Sequence, residues 1–516
     1  MLILISCLLL FATALALMIM RVNQSGARYA WLIAVTGAML AFVSVFIWLA
    51  QMPFDLVLPA WQPRALFVSP ILFRADGVSW PYALSISGLI LTVLLTAVAR
   101  SNNTNSFTWA GSLALGGLGL LAVTSGNPFT LLLVWSALDF TELITQLLSG
   151  NGASKNEKII ISFSTRAVGS FFLLWANIAG MTQTNSLDFQ SLTPNSGLYL
   201  VIAAGLRLGV LPLHLPYPAK SIFRRGFGTS LRLVSAASSL VLLAHIPLAS
   251  LSSALTPFLI MLSIIAGLYG SWMWFRAPDE LAGRPYWLIG LAALSTISAL
   301  SGNSLGAVAW GCALVVVGGA LFLASVQQVW LNRILLIGAW SLSSLPFSLT
   351  ASARVGSVVF FIPFVIVSQA LLTAGFIRHA LRPSGRDSLD SQETWAKRVY
   401  PAGILILIAI QLLLGLVGWD GARQIGSWVQ AILVCVVTIT IVWATPRFRI
   451  LNPTPTEWEN PITFDGSNIY KSLQAPIGTI ERISQTIISS LEGDGGIMWT
   501  LLFLILFISL LSQGLP

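Results

Sequence analysis

The stretch VIAAGLRLGVLPLHLPYPAKSIFRRGFGTSLRLVSAASS, residues 201–239, decides the fold. It begins as an apolar run and carries an arginine, Arg207, inside that run. Pro212, Pro216 and Pro218 then crowd around His214, a basic loop follows, and the chain turns apolar again. Within a bilayer the charge needs a partner or water, and each proline frees a backbone carbonyl that must be satisfied. Broken helices inside a bundle leave polar backbone lining a wet cavity, an arrangement that recurs where ions cross membranes. The competing reading is that Arg207 snorkels to an interface and the prolines only end a helix.

The rest of the chain favours a membrane setting. Of 516 residues, 56% are hydrophobic and 9% charged, against about a quarter charged in soluble domains. About sixteen apolar runs are long enough to span a bilayer. The first, residues 1–20, lacks the basic start and small-residue cleavage site of a signal peptide and reads as a membrane helix. The net charge of +9 is scattered between apolar runs, which is a topology signal and not the basic patch of a nucleic-acid binder. With the N-terminus outside and spans alternating, only Arg64, Arg74 and Arg423 fall in outside loops. Arg166, Arg207, Arg232 and Arg354 fall within spans, and the remaining basic residues, Arg284 among them, fall in inside loops. This asymmetry predicts both termini on the outer face, and the expected setting is a bacterial inner or thylakoid-type membrane.

Cofactor and metal chemistry have no foothold in the sequence. Cys7, Cys312 and Cys435 are far apart, as are His214, His245 and His379. There is no CxxC, Walker loop or dinucleotide fingerprint. The expectation is therefore a chain with no cofactor and no catalytic constellation of its own.

The charges inside the spans carry the functional reading. Of 18 acidic residues, only Asp139 and Glu142 lie within a span, in LLLVWSALDFTELITQLL (131–148). Spaced three apart, they share one helix face. Burying them is unfavourable unless they are paired, hydrated or protonated. Arg166 and Arg207 in nearby spans are the available partners, and Glu142 with Arg207 is the expected pair. Such a pair suits a proton relay. A guanidinium does not readily release its proton, however, so a static pair that fixes helix packing competes with it. Arg354 lies in a second proline-broken run, SLSSLPFSLTASARVG (341–356), interrupted at Pro346. Two such breaks point to an internal repeat. Arg232, at the start of its span, reads as an interfacial anchor.

Two polar segments stand apart, 383–398 and 446–496. In the second, Ile469, Leu473, Ile477, Ile480, Ile483, Ile487, Ile488 and Leu491 recur at helical spacing. This is the pattern of an amphipathic helix lying on a membrane or a neighbouring subunit.

Four motifs then resemble a known family. They are FRADGVS (73–79), NPFTLLLVWSALDF (127–140), GLRLGVLPLHLPYPAKS (205–221) and SLSSLPFSLTASARV (341–355). In order and spacing they resemble the antiporter-like membrane subunits of respiratory complex I, Mrp-type cation/proton antiporters and membrane-bound hydrogenases, most of all the subunit-L type. The resemblance implies an all-α polytopic membrane protein of about sixteen transmembrane helices. It implies N-terminal helices over 1–106 and two inverted five-helix repeats with broken helices over 107–247 and 253–380. Further helices over 399–444, a linker with an amphipathic lateral helix over 446–496, and a last helix over 497–516 complete it.

By the same resemblance Arg207 stands at the family's seventh-span lysine, His214 at the histidine of P-L-H, and Arg354 at the charge of the second broken helix. Asp139, Glu142, Arg166, Arg207, His214 and Arg354 form the expected ion-translocation set. The chain departs from the pattern at Ser136, which follows Trp135 where the family has glutamate, and at Ser239, where it has lysine.

The implied function is a non-catalytic, proton- or Na⁺-translocating subunit of a complex I-like NAD(P)H/quinone oxidoreductase or related redox-driven pump. Its partners would be other membrane subunits and the lipid bilayer, with electron transfer and quinone chemistry on other chains. The alternatives are a membrane partner energising inorganic-carbon uptake, a cation/proton antiporter, and a non-transporting scaffold.

Overall fold

Apolar runs fold as helices here because a backbone removed from water must satisfy its own N–H and C=O groups. The computed structural model describes residues 1–22, 29–58, 70–99, 106–149, 153–181, 188–189, 192, 196–217, 225–251, 254–326, 328–353, 361–381, 393–417 and 428–445. The N-terminal helices are α1 (Leu2–Val22), α2 (Ala30–Ile47), α3 (Ser79–Thr96) and α4 (Ser106–Val123). Then come α5 (Pro128–Ser149), α6 (Ala153–Met181), α7 (Ser196–Leu208) and α8 (Phe227–Ala244). The later part holds α9 (Thr256–Arg276), α10 (Glu280–Leu300), α11 (Ser304–Leu323), the short α12 (Val329–Leu335) and α13 (Ile337–Ser341), and α14 (Ile362–Leu381). Helices α15 (Thr394–Leu416) and α16 (Trp428–Ala444) close the described chain. Among the described residues, 11 helices are long and apolar enough to cross a membrane. The protein is an all-α polytopic membrane protein.

Helices α3, α8 and α11 form the centre. Their apolar windows are buried almost all round, and α8 is buried completely. Such a helix is enclosed by other helices on every side. Helices α1, α2, α6 and α16 instead expose leucine, isoleucine, phenylalanine and tryptophan on their outer faces, the dress of a lipid-facing surface. Small residues bring neighbours close, as they do in membrane bundles. A Cβ on Gly270 of α9 would sit 2.7 Å from the Gly290 nitrogen of α10.

A hairpin between α2 and α3 was not expected from the sequence. Strand β1 (Phe54–Leu58) pairs antiparallel with β2 (Ile71–Ala75), with Asp55 opposite Arg74. The two make a side-on ion pair, Arg74 Nε to Asp55 Oδ1 2.9 Å and Nη2 to Oδ2 3.0 Å. The hairpin positions α5. The Arg74 amide donates to the Thr124 carbonyl (2.6 Å), and the Gly126 amide to that of Leu72 (2.8 Å). Asn127 caps α5 by accepting the Thr130 amide (2.7 Å) and donates to the Pro70 carbonyl (2.8 Å). An asparagine before a proline-started helix is a strong helix start. In the motif FRADGVS, Asp76 Oδ1 accepts the amides of Val78 (3.0 Å) and Ser79 (2.8 Å), while Ser79 Oγ accepts the Asp76 amide (2.8 Å). This reciprocal cap starts α3.

The break expected around Pro346 follows α13, which ends at Ser341, with turns continuing to Ala353. One sequence expectation needs revision. Arg232 is not an interfacial anchor, because it is buried in the enclosed helix α8. Arg354, the amphipathic segment and the last apolar run lie outside the described residues.

Candidate functional site

Helix α5 presents its two acids inward. Trp135, Leu138, Asp139 and Glu142 are buried, while Phe140 and Ile144 face outward. Positions 135, 138, 139 and 142 form one stripe at helical spacing. Helices α6 and α7 close over that stripe, each bringing one arginine.

The pairing differs from the sequence expectation. Arg207 engages Asp139 and not Glu142: its Nη1 donates to Oδ2 at 2.5 Å and its Nη2 to Oδ1 at 2.8 Å. Arg166 engages Glu142, with Asp139 Oδ1 a further 3.6 Å from its Nη1. The reason is register. Asp139 lies one turn nearer the start of α5 and faces the last turn of α7, whereas Glu142 meets the middle of α6. The result is a buried quartet of two guanidinium groups and two carboxylates with no net charge. A charge in low dielectric is tolerated only when paired and hydrogen-bonded, and both conditions hold here.

Neutral groups complete the shell. Arg207 also donates to Ser170 Oγ (3.2 Å), to the Arg166 carbonyl (3.4 Å) and, through Nε, to Ser239 Oγ (3.3 Å). Ser239, which the family resemblance marks as a lost lysine, thus contributes a hydroxyl to Arg207. The Arg207 guanidinium stacks 4.2 Å from the centre of the Trp135 ring, which is held by a bond from its indole nitrogen to the Ser238 carbonyl (3.2 Å). Such cation–π stacking adds ~1–2 kcal/mol when desolvated. Arg166 lies 5.3 Å from the Tyr217 ring centre, and Gln146 donates to Glu142 Oε1 at 2.8 Å. Trp135 and Gln146 were legible as the i−4 neighbour of Asp139 and the i+4 neighbour of Glu142. Ser170 gave no sequence signal, and Ser239 was singled out only as a departure from the family's lysine.

The break after α7 has a specific geometry. Gly209 adopts φ +73°, and a Cβ there would meet the His214 carbonyl at 2.3 Å. Glycine is needed because the left-handed conformation and the close approach both exclude a side chain. The freed Gly205 carbonyl accepts the amides of Val210 (2.9 Å) and Leu211 (3.2 Å), and Ser162 of α6 donates to the Pro216 carbonyl (2.8 Å). His214 is turned onto its own loop, Nδ1 lying 2.8 Å from the Pro212 carbonyl. It joins no ion pair among the described residues. Of the expected set, Asp139, Glu142, Arg166 and Arg207 therefore form one cluster, His214 stands apart from it, and Arg354 lies outside the described residues.

The second break, after α13, is built without charge among the described residues. Thr350 Oγ1 donates to the Ser341 carbonyl (2.8 Å), and Gln369 Nε2 donates to the Leu342 carbonyl and to Ser344 Oγ (2.8 Å each). Gln411 Oε1 accepts from Ser341 Oγ (3.2 Å) and its Nε2 donates to the Val316 carbonyl (3.1 Å).

Neither a family model nor a curated protein sequence matches the chain. Solved structures do. The structure of the Mrp complex from Dietzia sp. DQ12-45-1b contains a chain matched over 99% of this protein and 63% of its own length, at TM-score 0.70 and 12% identity. This protein thus spans under two thirds of that chain. In respiratory complex I from Thermus thermophilus with bound NADH, a chain is matched over 86% of this protein and 100% of its own length, at TM-score 0.64 and 16% identity. A chain of the same organism's complex I with bound Aureothin is matched over 80% and 98%, at TM-score 0.59 and 18% identity. This protein has the fold of those membrane chains, in agreement with the family that its motifs resemble.

Proposed function

We propose that this chain is a cation- or proton-translocating membrane subunit of the antiporter-like superfamily, working within a multi-subunit membrane complex. The observation that carries the reading is the buried quartet Asp139, Glu142, Arg166 and Arg207, set beside a glycine- and proline-broken helix. The fold shared with chains of the Mrp complex and of complex I supports it. Residues 107–247 and 253–380 are read as the two repeats, with the charged break in the first. The complex is read as a complex I-like NAD(P)H/quinone oxidoreductase or a related pump, whose redox chemistry would sit on other chains.

The residues divide the work. Arginine stays protonated at any working pH, so a proton must ride on a carboxylate. Asp139 has guanidinium nitrogens at 2.5, 2.8 and 3.6 Å. Glu142 has one guanidinium partner and one neutral amide, Gln146. Glu142 is therefore the less compensated carboxylate and the one that exchanges a proton. On its neutralisation Arg166 is free to close on Asp139, a shift of charge along the axis of the quartet.

The test is ion movement by the assembled complex in proteoliposomes. Glu142→Gln is expected to lower transport at least about tenfold while the complex still assembles. Transport equal to wild type would leave the quartet a packing device, and the balanced charges favour that scaffold reading as the second choice. Mass spectrometry of the gently purified complex separates the partner readings: companions with quinone-reducing subunits fit the pump, and a single soluble companion without redox centres fits the carbon-uptake type.

A further inference from the structure

A second cluster of charge lies at the N-terminal ends of α8 and α10, and within it Arg284 is in no ion pair among the described residues. Arg284, on the first turns of α10, is 2% exposed. Its Nη1 donates to Thr229 Oγ1 of α8 at 2.9 Å, and its guanidinium carbon lies 5.8 Å from the Phe322 ring centre. No carboxylate comes within 4.0 Å of it among the described residues, and its buried Nε has no acceptor there. The charges around it are Arg232 and Arg225, which repel it, and Asp279 and Glu280, which attract it.

Both acids are committed elsewhere. Glu280 is paired with Arg225 at 2.5 Å, and Asp279 accepts the Ala282 amide at 2.7 Å as the helix cap. Arg225 itself donates to the carbonyls of Phe322 (3.2 Å) and Ala324 (2.7 Å) at the end of α11. Arg284 and Arg225 thus draw on the same two carboxylates where two helices start, Arg232 adds repulsion, and helix N-termini add further positive potential. A buried charge left in this state is strongly unfavourable.

The engaged nitrogen of Arg284 is Nη1, which leaves the Nε–Nη2 edge. That edge carries two parallel N–H groups, the fork that engages an oxyanion with two hydrogen bonds. Two helix N-termini beside it are a second recognised feature of phosphate sites. We propose that Arg284 binds a phosphate-type oxyanion through its Nε–Nη2 edge, within the arginine cluster formed with Arg225 and Arg232. The source of the group is either free phosphate or the phosphodiester of an anionic lipid. This role is separate from the Asp139–Arg207 quartet and does not depend on transport.

Thermal unfolding of the full chain in a neutral detergent tests it. Wild type is compared in chloride, in inorganic phosphate at equal ionic strength, and in chloride with phosphatidylglycerol or phosphatidylcholine. The expected result is a midpoint raised by several degrees by phosphate, by phosphatidylglycerol or by both, and unmoved by phosphatidylcholine. Phosphate acting alone identifies the free ion, and phosphatidylglycerol acting alone identifies the headgroup. Arg284→Lys keeps the charge, lacks the two-pronged edge, and is expected to lose most of the shift. Arg284→Met in plain chloride is expected to unfold no earlier than wild type, since it removes a buried charge with no carboxylate within 4.0 Å among the described residues. The inference is overturned if neither additive moves the wild-type midpoint, if the shift persists in Arg284→Lys, or if Arg284→Met unfolds several degrees earlier in chloride.

Discussion

The two helix breaks solve one physical problem in opposite ways. After α7 the chain ends its helix beside a guanidinium–carboxylate quartet. After α13 it ends its helix among serine, threonine and glutamine, whose side chains cover the carbonyls of Ser341 and Leu342 directly. Both breaks leave backbone polar groups that lipid cannot satisfy. The first region places ionisable groups beside the break, and the described part of the second places neutral hydrogen bonds there. Among the described residues, ionisable groups stand at the first break.

The comparison is broken most directly by removing one ion partner. Arg207→Gln is expected to destabilise the fold by about 3–5 kcal/mol, because it leaves the buried Asp139 and Glu142 to share one guanidinium, that of Arg166. Asp139→Asn in the same chain is expected to restore much of that loss. Measured as unfolding midpoints, a double variant no better than Arg207→Gln alone would show that the pair is not coupled.

Packing behind the quartet comes next. A Cβ on Gly169 of α6 would meet Arg207 Cγ at 2.7 Å and the Ala203 carbonyl oxygen at 2.9 Å. A side chain can yield but a helix carbonyl cannot. Gly169→Ala is expected to cost about 1–3 kcal/mol and to weaken the coupling between Arg207 and Asp139. The matching change in the second region is Gln369→Leu, which leaves the Leu342 carbonyl and Ser344 Oγ without their donor. About 1–2 kcal/mol is expected, near the lower end for a buried group left unsatisfied. A loss as large as that of Arg207→Gln would show that the break after α13 is as sensitive as the one after α7.

The smallest effect lies outside the membrane spans, at the cap of α3. Burial alone would raise the Asp76 carboxyl, but His245, with Nε2 3.8 Å away, and the bonds from Ser79 hold it well below its ordinary value of 3.8. A carboxyl depressed in the folded state stabilises fully above the unfolded value and loses that contribution as pH falls below it. Asp76→Asn is expected to cost about 1 kcal/mol at neutral pH as a weakened cap. It should also flatten the fall in stability below about pH 4, read from unfolding midpoints across an acid series. An unchanged acid limb would remove Asp76 from that account.

Several parts of the site were legible because their physics is local. Asp139 and Glu142 three apart in an apolar run had to share a buried face, and two arginines in nearby runs had to answer them. Which arginine meets which acid was not legible, because the answer depends on the axial register of α5, α6 and α7. Arg284 shows the same limit more strongly. By position it belongs to a loop, yet α10 begins at Glu280, earlier than its apolar run, and draws the arginine inside. The β1–β2 hairpin was missed for a related reason, since its strands of 5 residues are stabilised by pairing across a gap in sequence.

The sequence by itself determined a polytopic helical membrane protein, the two proline breaks and the buried charges, because bilayer thickness and the cost of burying polar groups act on short stretches of chain. Only the tertiary structure decided that Asp139 belongs to Arg207 and Glu142 to Arg166, that Thr350 and Gln369 cover the carbonyls of Ser341 and Leu342 at the second break, and that Arg284 is buried near two other arginines. Ion pairing acts over a few ångströms between helices remote in sequence, and packing alone sets those distances.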